Sequence, residues 1–126
     1  MKTFTSADGI KIMVGENAKE NDVLTMNAYP KEWWMHIAGC PGAHVVICHE
    51  CDTVPKETRR DAAALAVHYS KQRSKAKMIP VDMARVDQIT KYEKSHHGEV
   101  FLDGEIMQLN VFINKEGPRL KRLLST

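Results

Sequence analysis

The stretch from residue 33 to residue 47, WWMHIAGCPGAHVVI, constrains this chain more than any other. Two apolar runs are separated by Gly39 and by Pro41-Gly42, the chain's only Pro-Gly pair. Glycine and Pro-Gly supply turn conformations that other residues resist, so the stretch reads as strand, tight turn, strand. A strand pair this apolar must be covered by the rest of the chain. It also holds both tryptophans and two of the six histidines, more chemistry than a hairpin needs.

The flanking elements follow in order. Residues 2–6 and 10–14 surround Ala7-Asp8-Gly9 and predict a short hairpin with Asp-Gly turn chemistry. Asn17 can cap a helix running to about Met26, with Glu20 three residues on as in a capping box, before Tyr29-Pro30 stops it. The main helix is predicted over about 55–74. Asp52 or Thr53 can cap it, Pro55 suits its first turn, and Glu57 favours the positive end of the dipole. At 100° per residue, Ala62, Ala63, Leu65, Ala66, Val67 and Tyr69 share an apolar arc. Arg60, Asp61, His68, Lys71, Gln72 and Lys75 fall on the solvent arc, and Arg73 at the apolar edge. Beyond Pro80, residues 81–92 read as a strand and 95–98 as a turn. Residues 99–102 and 105–113 read as a last hairpin around Asp103-Gly104, and 120–124 as a closing helix. This order predicts an α+β fold: a mostly antiparallel sheet with one main helix packed on it, plus short helices, in a single domain spanning 1–126.

Several classes fall away. No apolar run approaches the roughly 20 residues that span a bilayer, and the N-terminus lacks the apolar core of a secretory signal. Three cysteines without scaffold spacing fit a reducing compartment, so a cytoplasmic location is expected. The net charge of +2 conceals an asymmetry: residues 56–77 carry seven cations against Glu57 and Asp61. Lys71, Arg73, Lys75 and Lys77 fall within seven residues, a pattern suited to phosphates through mobile ammonium charges and a bidentate guanidinium.

Cys48-His49-Glu50-Cys51 is a lone Cys-x-x-Cys; zinc would need two more ligands, and the residues read as reduced thiols at a strand end, with no metal or cofactor expected. His36 and His44 are the more informative pair. A strict four-residue loop at 39–42 sets His36 opposite Val45 and sends the imidazoles to opposite faces, whereas a one-residue bulge brings them to the same face. On one face they could serve a small enzyme as acid and base, with Asp8 or Asp82 as a carboxylate partner. The tryptophans and Tyr29 could stack bases, with core packing for at least one indole.

Several stretches together resemble the NFACT-R domain family. They are Asp8-Gly9, Ile12-x-Val14-Gly15-x-Asn17, Glu20-Asn21-Asp22-x-Leu24, Trp34-Met35-His36, the run from Pro41 through Ile47, Ala62-Ala63-Ala64-Leu65-Ala66 and Tyr69-Ser70-Lys71-x-Arg73. They occur in order over roughly residues 8–91. Departures are Glu16 and Cys48, where the family often has a cation, Met35 for an aromatic and Ala43 for a serine. That family includes fibronectin-binding-protein-A-like bacterial proteins, a eukaryotic ribosome-quality-control factor and a relative associated with extracellular DNA sensing. The resemblance implies a non-catalytic RNA-binding module for tRNA or rRNA in a ribosome context, with DNA binding or an adaptor role as the alternative. Together with the basic run, it implies a binding face of Trp34, His36, Gly42, His44, Tyr69, Ser70, Lys71, Arg73, Lys75 and Lys77. The larger members' N-terminal domain, helix-hairpin-helix and coiled coil have no counterpart here, so tail elongation by this chain alone is not expected.

Overall fold

In the computed structural model, which describes residues 1–70, 77–92 and 95–125, the apolar stretch lies at the middle of a six-stranded sheet. The elements run β1 (Lys2–Thr5), β2 (Lys11–Val14), α1 (Ala18–Asn27), β3 (Trp33–Ile37), β4 (Val45–Ile47), α2 (Lys56–His68) and β5 (Met78–Arg85). They continue with β6 (Ile89–Thr90), β7 (Phe101–Leu102), β8 (Met107–Phe112) and α3 (Gly117–Leu124). The sheet order is β1-β2-β4-β3-β5-β8, and every pairing is antiparallel. The α+β architecture is therefore the one expected.

Strand alternation splits the interior in two. Ile12, Val14, Met35, Ile37, Val45 and Ile47 face α2, whose Ala62, Ala63 and Ala66 let its backbone come close to the sheet. The other face carries Trp34, Val46 and Ala84, covered by Leu24 of α1 and by Val86. Asn17 caps α1 as predicted, accepting the Glu20 N–H at 2.9 Å.

Four expectations need correction. First, α2 ends at His68 rather than near 74; the Ser70 hydroxyl folds back to donate to the Ala66 carbonyl at 2.6 Å, and residues 71–74 lie outside the described residues. Second, neither Asp52 nor Thr53 caps α2. Pro55 stands at the cap position without a side-chain bond, and Asp8 in the β1–β2 turn accepts the Thr58 N–H at 3.0 Å and its hydroxyl at 2.8 Å. Orphan N–H groups at a helix start need acceptors, and here the acceptor is fifty residues away.

Third, Asp61 is not on a solvent face. It is fully buried, and it accepts from the Ala7 N–H at 2.9 Å, from Arg119 at 2.7 Å and from Arg122 at 2.5 Å, which fastens α3 and the first turn onto α2. Fourth, 99–102 and 105–113 do not pair with each other. Gly104 makes its turn with φ +80°, but the Gln88 side chain donates to the carbonyls of Asp103 and Glu105 on either side of it (3.0 and 2.8 Å). β7 then pairs with β6, while β8 takes the longer ladder that β5 presents from Met78 to Met83.

Candidate nucleic-acid interface

The register of β3 and β4 decides the site. Trp34 stands opposite Val46 and Met35 opposite Val45, and continuing that register sets His36 opposite His44. The turn takes one more register step than a strict four-residue loop, so both histidines share the face away from α2. Their rings meet edge to face at 5.3 Å. Trp34, two residues before His36 and so on the same face, stacks on it at 5.5 Å with planes 3° apart.

These three rings form the floor of a cleft of about 660 Å³. Its walls are the 39–42 turn, the segment entering α1, and the turn at 96–99, with Tyr69 at one side. The walls are pinned by long-range polar contacts. Asn21 accepts the His44 N–H at 3.1 Å and donates to the Gly42 carbonyl at 3.2 Å, so α1 holds the turn in place. A Cβ on Gly15 would fall 2.2 Å from the Asn21 side-chain oxygen. Asp22 accepts from the Gly98 N–H at 2.8 Å and from the His97 ring at 3.0 Å, with Lys91 at 3.4 Å. Burial opposes its ionisation, but those hydrogen bonds and the Lys91 charge hold its carboxyl below the ordinary range.

His44 is wholly committed to this framework. Its Nε2 faces the Gly98 carbonyl at 3.0 Å, which can only accept, so Nε2 carries the proton and Nδ1 accepts the Thr25 hydroxyl at 2.7 Å. Burial, and then the neighbouring His36, push its pKa down to about 4, so it is neutral at physiological pH. His36 is half-buried, and burial lowers its pKa too, against the pull of the Ile37 and Gly42 backbone and the Asp82 charge. Asp82 is its cross-strand neighbour on β5 and accepts from the Gln108 amide at 2.9 Å. The imidazoles thus converge beside a carboxylate, but with both nitrogens of His44 engaged, only His36 could exchange a proton with a ligand. The Trp34 indole N–H is buried and has no partner among the described residues.

Of the ten predicted contact residues, Trp34, His36, Gly42, His44 and Tyr69 line the cleft. Trp34 and His44 are almost fully enclosed, at 2% and 1% exposure, and act as floor. Ser70 is buried beneath the turn, accepting the Ala43 N–H at 3.2 Å. Lys77 is exposed where β5 begins and does not line the cleft. Lys71, Arg73 and Lys75 lie outside the described residues. Thr25 and Gly98 carried no binding signal in the sequence, because they meet their partners only through contacts 19 to 76 residues long. Cys48 and Cys51 are free thiols, with the former raised in pKa by burial. No group of three or more His, Cys, Asp or Glu among the described residues is placed to hold a metal ion.

Fold and cleft define an α+β binding domain with a stacked tryptophan–histidine floor. The chain belongs to the NFACT protein RNA binding domain family, whose profile matches residues 1–109. It is similar to the Rqc2 homolog RqcH of Bacillus subtilis, at 28% identity over 98% of this chain and 21% of that protein. The Rqc2 homolog RqcH of Streptococcus suis is 37% identical over 81% of this chain and 18% of its own length. The chain therefore spans about a fifth of these curated relatives. Among solved structures, the C-terminal part of the fibronectin/fibrinogen-binding protein from Streptococcus suis superimposes with a TM-score of 0.84 at 31% identity, covering 97% of this chain and 48% of that one.

Proposed function

We propose that this chain is an RNA-binding module that engages tRNA or rRNA in ribosome-associated quality control, without chemistry of its own. Membership of an RNA-binding family and similarity to RqcH proteins support the class of ligand and the setting. The observation that carries the mode of binding is the cleft floored by the parallel Trp34–His36 stack. Because His36 and His44 both have lowered pKa values, the floor brings no positive charge at neutral pH. The cleft therefore suits unpaired bases, which stack on neutral rings, while attraction for phosphates falls to Lys71, Arg73, Lys75 and Lys77 next to Tyr69 in sequence.

The test is crosslinking of the protein to RNA in cells, followed by sequencing of the bound RNA and mapping of the crosslinked residues. Recovery of tRNA or rRNA with crosslinks at Tyr69 or His36 supports the proposal. Crosslinks spread over unrelated RNAs, or confined to residues outside the cleft and the basic run, would overturn it.

A further inference from the structure

On the side of the sheet remote from β1, β8 has β5 along one edge and, among the described residues, no strand along the other. The bond from the Ile113 N–H to the Lys77 carbonyl, at 3.1 Å, sets the phase of the ladder. With Phe112 opposite Met78, residues 107, 109 and 111 exchange hydrogen bonds with β5. Gln108 and Asn110 consequently turn both their N–H and C=O groups outward, and Phe112 its N–H, while the Phe112 carbonyl caps the 3-10 turn at Ile113–Lys115. Among the described residues nothing pairs with these outward groups. Edge strands are commonly guarded by an internal lysine, a proline or a bulge. The sequence MQLNVF has no charge and no proline, and Met107 and Phe112 are 48% and 43% exposed.

Beside this edge, α2 and β8 enclose a groove of about 400 Å³ lined by Lys56, Arg59, Arg60 and Lys115. Glu116 is its carboxylate, already bound to Arg119 at 2.6 Å and lying 3.8 Å from Arg60. The Arg59 Nε is buried without a partner among the described residues. Lys115 sits over the exposed Phe112 ring, 5.2 Å from its centroid. An open strand edge and a surplus of positive charge therefore coincide.

We propose that β8 and this groove bind an extended acidic peptide segment of a partner protein. The segment adds to β8 as a seventh strand, exchanging backbone hydrogen bonds with Gln108 and Asn110 and accepting one from the Phe112 N–H. Its alternate side chains fall on the α2 side, where carboxylates meet Lys56, Arg59 and Arg60. A strand presents donors and acceptors at the two-residue repeat of roughly 7 Å that the edge requires. A sugar–phosphate backbone has no such ladder and would leave the edge unpaired. A second copy of this chain would bring its own four cations into the groove.

The test uses a short synthetic peptide alternating Glu with Val, a second alternating Lys with Val, and an oligouridylate, each titrated into the protein and followed by amide hydrogen exchange. The Glu peptide should bind and slow exchange at the outward amides of 108, 110 and 112, while the Lys peptide does not bind. Asn110→Pro removes one outward donor and Arg59→Glu reverses one groove charge; each should weaken binding about tenfold or more. Lys56→Glu, on an exposed side chain, gives the same reading if Asn110→Pro fails to fold. Absent binding of the Glu peptide, binding without slowed exchange at those amides, or protection by the oligouridylate or by self-association instead, would overturn the proposal. Failure here leaves the RNA reading of the Trp34–His36 cleft untouched, because none of these variants lines that cleft.

Discussion

Gly42 lies so close to Ser70 that a Cβ on the glycine would come within 2.4 Å of the serine hydroxyl and 2.9 Å of Ile37 Cγ1. The turn that walls the cleft and the end of α2 are therefore locked by the absence of one methyl group. Gly42→Ala should cost about 1–3 kcal/mol through overpacking, read as a lower midpoint in urea at unchanged slope. Adding Ser70→Ala removes the first atom struck, so the double variant should lose less than the sum of the singles.

His44 makes stability depend on pH. Its folded pKa of about 4 lies below the ordinary value of 6.5, so between those limits the unfolded chain binds a proton that the folded chain does not. Stability is fully present above pH 6.5 and falls as pH drops toward 4; this group alone accounts for about 2 kcal/mol by pH 5. His36, shifted the same way, adds to the fall. Denaturant unfolding at pH 7.5 and pH 5 should show it, and His44→Gln should flatten the difference while lowering stability at both.

Asp8 rather than Asp52 or Thr53 caps α2. Asp8→Ala should destabilise by about 0.5–2 kcal/mol, the usual range for losing a cap. Asp52→Ala and Thr53→Ala, on exposed side chains, should stay within about 0.5 kcal/mol of the parent in the same measurement.

Asp61 is the more severe case, because it is fully buried between two guanidinium groups. Asp61→Ala should cost about 3–5 kcal/mol and loosen α3, read as faster amide exchange across Gly117–Leu124.

These residues mark where the sequence was legible. Asn17 with Glu20, the Asp8-Gly9 turn and the apolar runs around Pro41-Gly42 are local signals, and the elements stand where those signals put them. The family motifs were legible too, although their residues turn out to frame the cleft as much as line it: Asn21, Asp22 and Ser70 are all engaged within the fold. The misses at Asp61 and at Asp103-Gly104 share one cause, competition between a local preference and a distant partner. Asp61 sits on the polar arc by periodicity, yet Arg119 and Arg122 lie some sixty residues on. Asp103-Gly104 has hairpin chemistry, yet β5 offers β8 the longer ladder. The shared face of His36 and His44 depends on a single register step in the turn, which residue types alone left open.

In the proposed mode of binding, unpaired bases stack in the cleft while the 71–77 run holds phosphates. The measurement that tests it most directly is affinity for single-stranded RNA across a salt series, comparing the parent with Tyr69→Ala, His36→Ala and the triple Lys71→Ala/Arg73→Ala/Lys75→Ala variant. The triple variant should reduce the slope of log affinity against log salt by about 2, the value for three phosphates on a single strand. Tyr69→Ala and His36→Ala should weaken binding by about 1–3 kcal/mol with the slope unchanged, as loss of one stacked base does. RNA affinity unaffected by the two ring variants, or a salt slope unmoved by loss of the three cations, would contradict the account.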